Sequence, residues 1–208
     1  MGSYHTRVSI FAVSSTLTVA IGGSPDFTLA QIIPDTSLGR ESSQLVPGTL
    51  IQGAPGDRID GGATRGTNLF HSFQEFNVGS GQRVYFANPV GIQTIFSRVT
   101  GGKSSNLLGT LGVDGNASLF LLNPQGIFFG PQARLDIRGS FLASTADRIL
   151  FADGSEFTAT PSPTNSLLTF SVPLGVQYGT SSGLIQSQGH LAVGQDLTLA
   201  ADNLELQG

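Results

Sequence analysis

The chain has 208 residues, a formal net charge of −4, no Cys and no Trp. Charged residues make up 12%, about half the usual share of ~25%, while 39% hydrophobic residues supply enough apolar material for a core and exclude an unfolded chain. The ten basic residues, nine of them Arg, form no stripe, which argues against nucleic acid as a partner, and the lack of Cys excludes disulfides and thiolate chemistry.

Residues 1–30 stand apart from the rest. Arg7 supplies a positive end. Val8 to Ile21 is apolar but interrupted by Ser and Thr, and is shorter than the ~20 residues of a spanning helix. Gly22-Gly23-Ser24-Pro25 breaks it, and Thr28-Leu29-Ala30 looks like a small-residue cleavage site before Gln31. The pattern predicts a secretory signal peptide over 1–30, with an apolar first strand as the alternative. No later apolar run reaches that length, so no membrane span is expected.

From Gln31 onward the pattern is β. Ile32-Ile33-Pro34-Asp35 predicts a short strand and turn, followed by strand signals at Leu50 to Gly53 and Arg58 to Gly62. Asn68 to Val78 carries three Phe and His71 and alternates only roughly. Arg83 to Ala87 and Ile92 to Val99 are further strands, separated by Asn88-Pro89-Val90-Gly91.

Gly109 to Thr145 holds four apolar pulses, Leu111/Val113, Leu119/Leu121, Ile127/Phe129 and Leu135/Ile137, whose starts are eight residues apart. Within each pulse the two residues point to one face of a strand. Turn residues lie between pulses: Gly115, Asn123 to Gly126 and Gly130-Pro131. Gly109 to Gly115 recurs in outline 24 residues later as Ala133 to Gly139. Three pulses per repeat describe a parallel β-helix winding three strands per turn. A β-sandwich gives similar spacing, and the period alone leaves both open.

Farther on, Ile149 to Ala152, Asp153-Gly154 and Phe157-Thr158-Ala159 predict a hairpin projecting from the stack, and Pro161-Ser162-Pro163 a loop. The pulses then resume at Leu184/Ile185, Leu191/Val193, Leu197/Leu199 and Leu204/Leu206. Gly183 to Gly189 fits the repeat outline, with Ile185 placed about two repeats after Leu135. At 24 residues per turn the chain from Gln31 has room for about seven turns, a rod of roughly 35 Å. The pattern runs to Gly208 without a capping segment, which predicts the N-terminal piece of a longer protein.

Candidate chemistry is sparse. His5, His71 and His190 have no metal-ligand spacing, so each is read as packed or solvated. Gly179-Thr180-Ser181-Ser182-Gly183 matches G-x-S-x-G but lacks the following helix, and is read as a Ser-rich turn. Asp57/Asp60 and Asp147/Asp153 would be the carboxylate pairs of a β-helix polysaccharide hydrolase or lyase, the alternative function. Each sits in an apparent turn, and the single Lys, Lys103, disfavours a lyase. Asn116-Ala117-Ser118 is a glycosylation sequon by pattern only. The Asn-Pro pairs have a turn role: Asn opens a type I turn and bonds the backbone two residues on, while Pro fixes the next φ. Asn88-Pro89 and Asn123-Pro124 are therefore expected to be rigid corners.

Five segments carry a family resemblance: Ile33-Pro34-Asp35, Asn68 to Val78, Ser97 to Gly102, Leu122 to Gly130 and Phe141 to Thr145. With them the chain resembles the N-terminal secretion domain of two-partner secretion exoproteins, the filamentous-haemagglutinin-like adhesins and haemolysins of Gram-negative bacteria, cyanobacterial branch. The family has two Asn-Pro motifs, N-P-N-L and N-P-N-G-I. Asn123-Pro124-Gln125-Gly126-Ile127 matches the second with Gln at the third position, and Asn88-Pro89-Val90-Gly91 matches the first less well. The resemblance implies an all-β chain: a right-handed parallel β-helix over 31–208 with capping N-terminal strands and a small extra-helical hairpin. It implies a non-enzymatic, monomeric targeting module without cofactor, small-molecule substrate or nucleic acid. Its partner would be an outer-membrane β-barrel transporter of TpsB type, engaged through periplasmic POTRA domains. The product would be exported through the periplasm to the cell surface or the medium. The residues marked as secretion determinants are Asn88, Pro89, Asn123, Pro124, Gln125, Gly126 and Ile127.

Overall fold

Side chains two apart share a face, so each apolar pulse becomes a strand with one row of side chains turned inward. In a computed structural model, which describes residues 31–159, 168–169, 171–180 and 183–207, these strands stack in parallel coils. The expected signal peptide and His5, the Pro161 to Pro163 loop, Ser181, Ser182 and Gly208 lie outside the described residues.

The first four strands make a cap: β1 (Ile32–Pro34), β2 (Ser43–Ile51), β3 (Ala54–Gly61) and β4 (Ala63–Arg65). Next come the coils: β5 (Asn68–Phe76) and β6 (Arg83–Ala87), then β7 (Thr94–Val99), β8 (Ser105–Leu107) and β9 (Thr110–Asp114), then β10 (Ser118–Leu122), β11 (Ile127–Phe129) and β12 (Arg134–Asp136). A fourth coil starts with β13 (Phe141–Ser144). The chain then leaves the stack as β14 (Arg148–Phe151), β15 (Glu156–Thr158) and β16 (Pro173–Gln177). It returns as β17 (Leu184–Ser187), β18 (Leu197–Ala200) and β19 (Asn203–Leu206).

Three sheets form the walls, ordered β1-β5-β7-β10-β13-β18 (sheet A, with β4 also on β5), β12-β9-β6-β3-β2 (sheet B) and β19-β17-β11-β8 (sheet C). The pairs between coils are parallel, which overturns the sandwich alternative. The 24-residue repeat holds where Thr94 pairs with Ser118 and Thr110 with Arg134. The four pulses land on β9, β10, β11 and β12, and seven of their eight side chains belong to one buried interior, with Leu135 partly buried against it.

Two expectations of extent need correction. There are about three turns, not seven. Residues before β5 are spent mostly on antiparallel pairing in the cap, β3 alone also adding in parallel to β6, and those between β13 and β17 on an excursion. For the same reason Ile185 does not follow Leu135 by two repeats: it stacks on Ile127, in a different wall. The hairpin also differs from expectation. β14 and β15 pair antiparallel as foreseen, but β16 adds a third strand, and this side sheet lies against the outer face of sheet A instead of projecting. Phe70, Phe96 and Leu122 point outward from the coils and pack with Ile149, Phe151 and Phe157. Phe70 stacks on Phe96 at 5.1 Å and meets Phe157 edge-on at 5.1 Å. At about 2 kcal/mol per buried Phe, this second core holds the side sheet in place.

The imperfect alternation in β5 also has a physical cause. Ile33 faces Glu75 and Pro34 faces Phe73, so Gln74 is an extra residue, a β-bulge. It turns both Phe73 and Phe76 into the interior, where their rings meet at 5.0 Å. The bulged carbonyl of Gln74 would lie 2.0 Å from a Cβ on Gly101, so the next coil needs glycine there.

His71 is packed, as expected, and wholly buried beside Phe86, with Nδ1 2.9 Å from the Ser43 hydroxyl of the cap. Burial lowers its pKa to about 3, with Asp60 opposing the shift. Because the folded value lies below the unfolded one of 6.5, this contribution to stability is complete above pH ~6.5 and is lost as pH falls toward 3.

Two outcomes are expected. Gly101→Ala lowers the unfolding free energy by about 2–3 kcal/mol in urea titrations, since backbone blocks the new methyl. Stability falls on acidification from pH 6.5 to 4.5, and His71→Leu flattens that part of the profile; an equally steep profile in the variant would exclude His71 as its source.

Candidate functional site

The two Asn-Pro corners share a sequence pattern, yet the coil places them differently. Asn88 to Gly91 links β6 to β7, turning from sheet B to sheet A. Asn123 to Gly126 links β10 to β11, turning from sheet A to sheet C.

Asn123 fulfils the expected geometry and adds to it. Its Oδ1 accepts from the Gln125 amide at 3.0 Å, and the Gly126 amide closes the turn on the Asn123 carbonyl at 3.1 Å. Its Nδ2 donates to the Lys103 carbonyl at 3.0 Å and to Ser105 Oγ at 2.9 Å, both one coil earlier. Asn123, Pro124 and Gly126 are buried and only Gln125 is exposed, while Ile127 points into the core. The turn demands φ = +118° at Gly126, which favours glycine. On the far side this corner meets the point where the excursion rejoins the stack: a Cβ on Gly183 would come within 2.4 Å of the Pro124 carbonyl. Three successive layers therefore meet at Asn123 to Gly126.

Asn88 does not bond the backbone two residues on, as Asn123 does. Its Oδ1 reaches forward one coil and accepts from the amides of Asn116 at 2.9 Å and Ala117 at 3.0 Å, while Nδ2 donates to the Ile92 carbonyl at 3.0 Å. The reach is possible because Gly115 has no Cβ; one would stand 2.2 Å from Asn88 Oδ1. Pro89, Val90 and Gly91 are all exposed, and Val90 has no cover at all. The first corner is thus an accessible knuckle and the second an internal joint.

Three of the four candidate carboxylates hold local structure. Asp57 Oδ1 accepts from the Gly48 amide at 3.1 Å, Asp60 pairs with Arg58 at 2.6 Å, and Asp153 bonds the Ser155 amide and hydroxyl. Asp147 is buried where the excursion leaves the coils, against Gly179. Lys103 pairs with Glu75. Among the described residues no cluster of His and carboxylates could hold a metal ion.

Sequence reasoning assigned no role to a polar node on the outer face of sheet A. Arg98 is only 7% exposed; its guanidinium donates to Ser72 Oγ at 2.8 Å, Ser37 Oγ at 3.0 Å and the Thr158 carbonyl at 2.6 Å, and lies 4.6 Å above the Phe157 ring. The Ser72 and Ser37 hydroxyls in turn donate hydrogen bonds to the Asp35 carboxylate, as does Thr100 at 2.7 Å. Burial pushes the Asp35 carboxyl up, but the hydroxyls of Ser37, Ser72 and Thr100 outweigh it and hold the pKa below the ordinary value. Burial lowers that of Arg98, with Asp35 opposing. The sequence clue was a lone Arg inside the apolar strand Thr94 to Val99.

Comparison with known proteins agrees with the stacked coils. A family profile described as TPS secretion domain matches residues 30–208. Over 99 residues, 48% of the chain, the sequence is 31% identical to the heme/hemopexin-binding protein of Haemophilus influenzae. The matched stretch is 9% of that protein, so the chain spans a small part of that relative's length.

Asn123→Ala removes three side-chain bonds at a buried joint, and is expected to cost about 2–4 kcal/mol of unfolding free energy. Asn88→Ala, at a half-exposed corner, is expected to cost about 1–2 kcal/mol. Equal losses in urea titrations would contradict the distinction between joint and knuckle.

Proposed function

The chain belongs to the TPS secretion domain family, the secretion modules of two-partner secretion exoproteins, and from that premise we propose that it steers a larger exoprotein across the outer membrane by binding the POTRA domains of a dedicated β-barrel transporter. The family match across 30–208, on a parallel β-helix with a capped first end, is the observation that carries this. Residues 1–30 act as a signal peptide, delivering the chain to the periplasm. The passenger is of adhesin or haemolysin type and is released to the medium or held at the cell surface. No nucleotide is available in the periplasm to drive the last step; coil added to coil downstream biases movement outward, because each new strand finds its backbone partners on the one before it.

The two corners take different parts in this. Pro89 and the uncovered Val90, held by the half-exposed Asn88, form an accessible corner that a partner can touch on the folded chain. Asn123, Pro124, Gln125, Gly126 and Ile127 act through shape, because four of the five are buried. A transporter that reads the folded domain is therefore sensitive to Val90, whereas folding is sensitive to Asn123.

The direct test is binding of the purified chain to the POTRA region of its cognate barrel, paired with a secretion assay. Asn123→Ala and Pro124→Ala are expected to reduce export, and Val90→Asp to weaken POTRA binding while leaving stability unchanged. Normal secretion of all three variants would count decisively against these roles. Mass spectrometry of the exported protein should find Gln31 at its N-terminus.

A further inference from the structure

A guanidinium buried beneath protein is costly unless its charge is answered. Among the described residues no carboxylate pairs directly with Arg98. Its countercharge, Asp35, is reached through two serine hydroxyls, each accepting from the guanidinium and donating to the carboxylate. The partners come from separate parts of the fold. Arg98 sits on β7 and Ser72 on β5, both in the coils; Asp35 and Ser37 follow β1 in the cap; Phe157 and Thr158 belong to β15 in the side sheet.

These parts do not stand in equal relation to Arg98. With the side sheet absent, the guanidinium faces water and needs no partner. When the side sheet docks, the Phe157 ring closes over the guanidinium at 4.6 Å and water is displaced. From then on the charge depends on what the cap supplies. A docked side sheet over an undocked cap would bury the guanidinium with Ser72 and the Thr158 carbonyl but without its countercharge. A docked cap without the side sheet carries no such penalty, since Asp35 and its hydroxyls are then partly solvated.

We propose that the hydroxyl-bridged Asp35–Arg98 pair makes docking of the side sheet conditional on prior docking of the N-terminal cap. The coupling is reciprocal in free energy, but the half-docked state with the cap alone is the less costly one, so the order is cap first, side sheet second. It gives the outer face of sheet A, with Phe70, Phe96 and Leu122, an interval in which it is uncovered during folding. Asp35 and Ser37 precede Arg98, and Arg98 precedes Thr158, so a chain that emerges N-terminus first presents the parts in the order in which they can dock. The dependency concerns folding order alone and stands or falls apart from transporter binding.

The test is amide hydrogen exchange on the purified 208-residue chain, comparing the side sheet with the coils at β9 to β12. Asp35→Asn keeps the shape of the carboxylate but removes its charge. It should lower protection of β14 and β15 roughly 10–100-fold relative to the coils, as expected for a buried charge left unanswered. In an Arg98→Met background the same Asp35→Asn change should alter side-sheet protection less than roughly threefold, because no charge remains to answer. The Arg98→Met chain carries no buried guanidinium, so this second comparison remains available if Asp35→Asn alone fails to fold. Side-sheet protection that ignores Asp35→Asn, or that falls equally with and without Arg98, overturns the proposal. So does a wild-type chain in which the cap opens more readily than the side sheet.

Discussion

A strand in one of these coils has no hydrogen-bond partner inside its own coil. Its amides and carbonyls are satisfied only by the coil before and the coil after. Everything unusual in the fold lies where that supply fails. At the N-terminal end, β1 and β4 cover successive parts of β5, and β2 closes sheet B beyond β3. β2 is itself an edge, and it is a poor template for another strand: Pro47 has no amide hydrogen, the Gly48 amide is taken by Asp57, and the register slips between Val46 and Thr49. Sheet C lacks a strand in the first coil, and there the Asn77 side chain and Val78 supply the bonds that β8 would otherwise miss.

The corners answer the same demand. A turn between walls breaks the ladder, and its free polar groups need partners in an adjoining coil. Asn supplies both a donor and an acceptor on a short side chain, so one residue can hold its own turn and clip a neighbour. Asn123 does this backward to Lys103 and Ser105, and Asn88 forward to Asn116 and Ala117. Proline next in sequence narrows the conformations open to the corner before it forms. The same residue pair thus serves two environments, one enclosed by the returning excursion and one open to solvent. The difference separates a buried joint from an accessible corner.

The outer face of sheet A is the other departure. A coil wall normally meets water, but Phe70, Phe96 and Leu122 make this one apolar, and the side sheet exists to cover it. Covering it also encloses Arg98, whose charge is answered from the cap through Ser37 and Ser72. Cap, coils and side sheet are therefore bound together through one polar node as well as through aromatic packing.

Much of this was legible along the chain. The eight-residue spacing of Leu111, Leu119, Ile127 and Leu135 determined a series of short strands with one inward face each, because side-chain alternation is a property of the strand itself. The turn residues between them, and the Asn123 turn down to its bond with Gln125, followed from local chemistry. Parallel against antiparallel pairing did not, since both place the same residues on the same face. Nor did the number of coils: the spacing of Ile185 from Leu135 looked like two repeats, but only the tertiary structure shows that the intervening chain leaves the stack and that Ile185 rests on Ile127. The forward reach of Asn88 and the meeting of Asp35, Ser72, Arg98 and Thr158 likewise depend on which coil lies beside which. Local sequence determined the strands, their inward faces and their turns; which strands become neighbours was decided by backbone pairing and shared burial between residues far apart in the chain, as where Ile185 meets Ile127 in the interior and Phe157 meets Phe70 outside it.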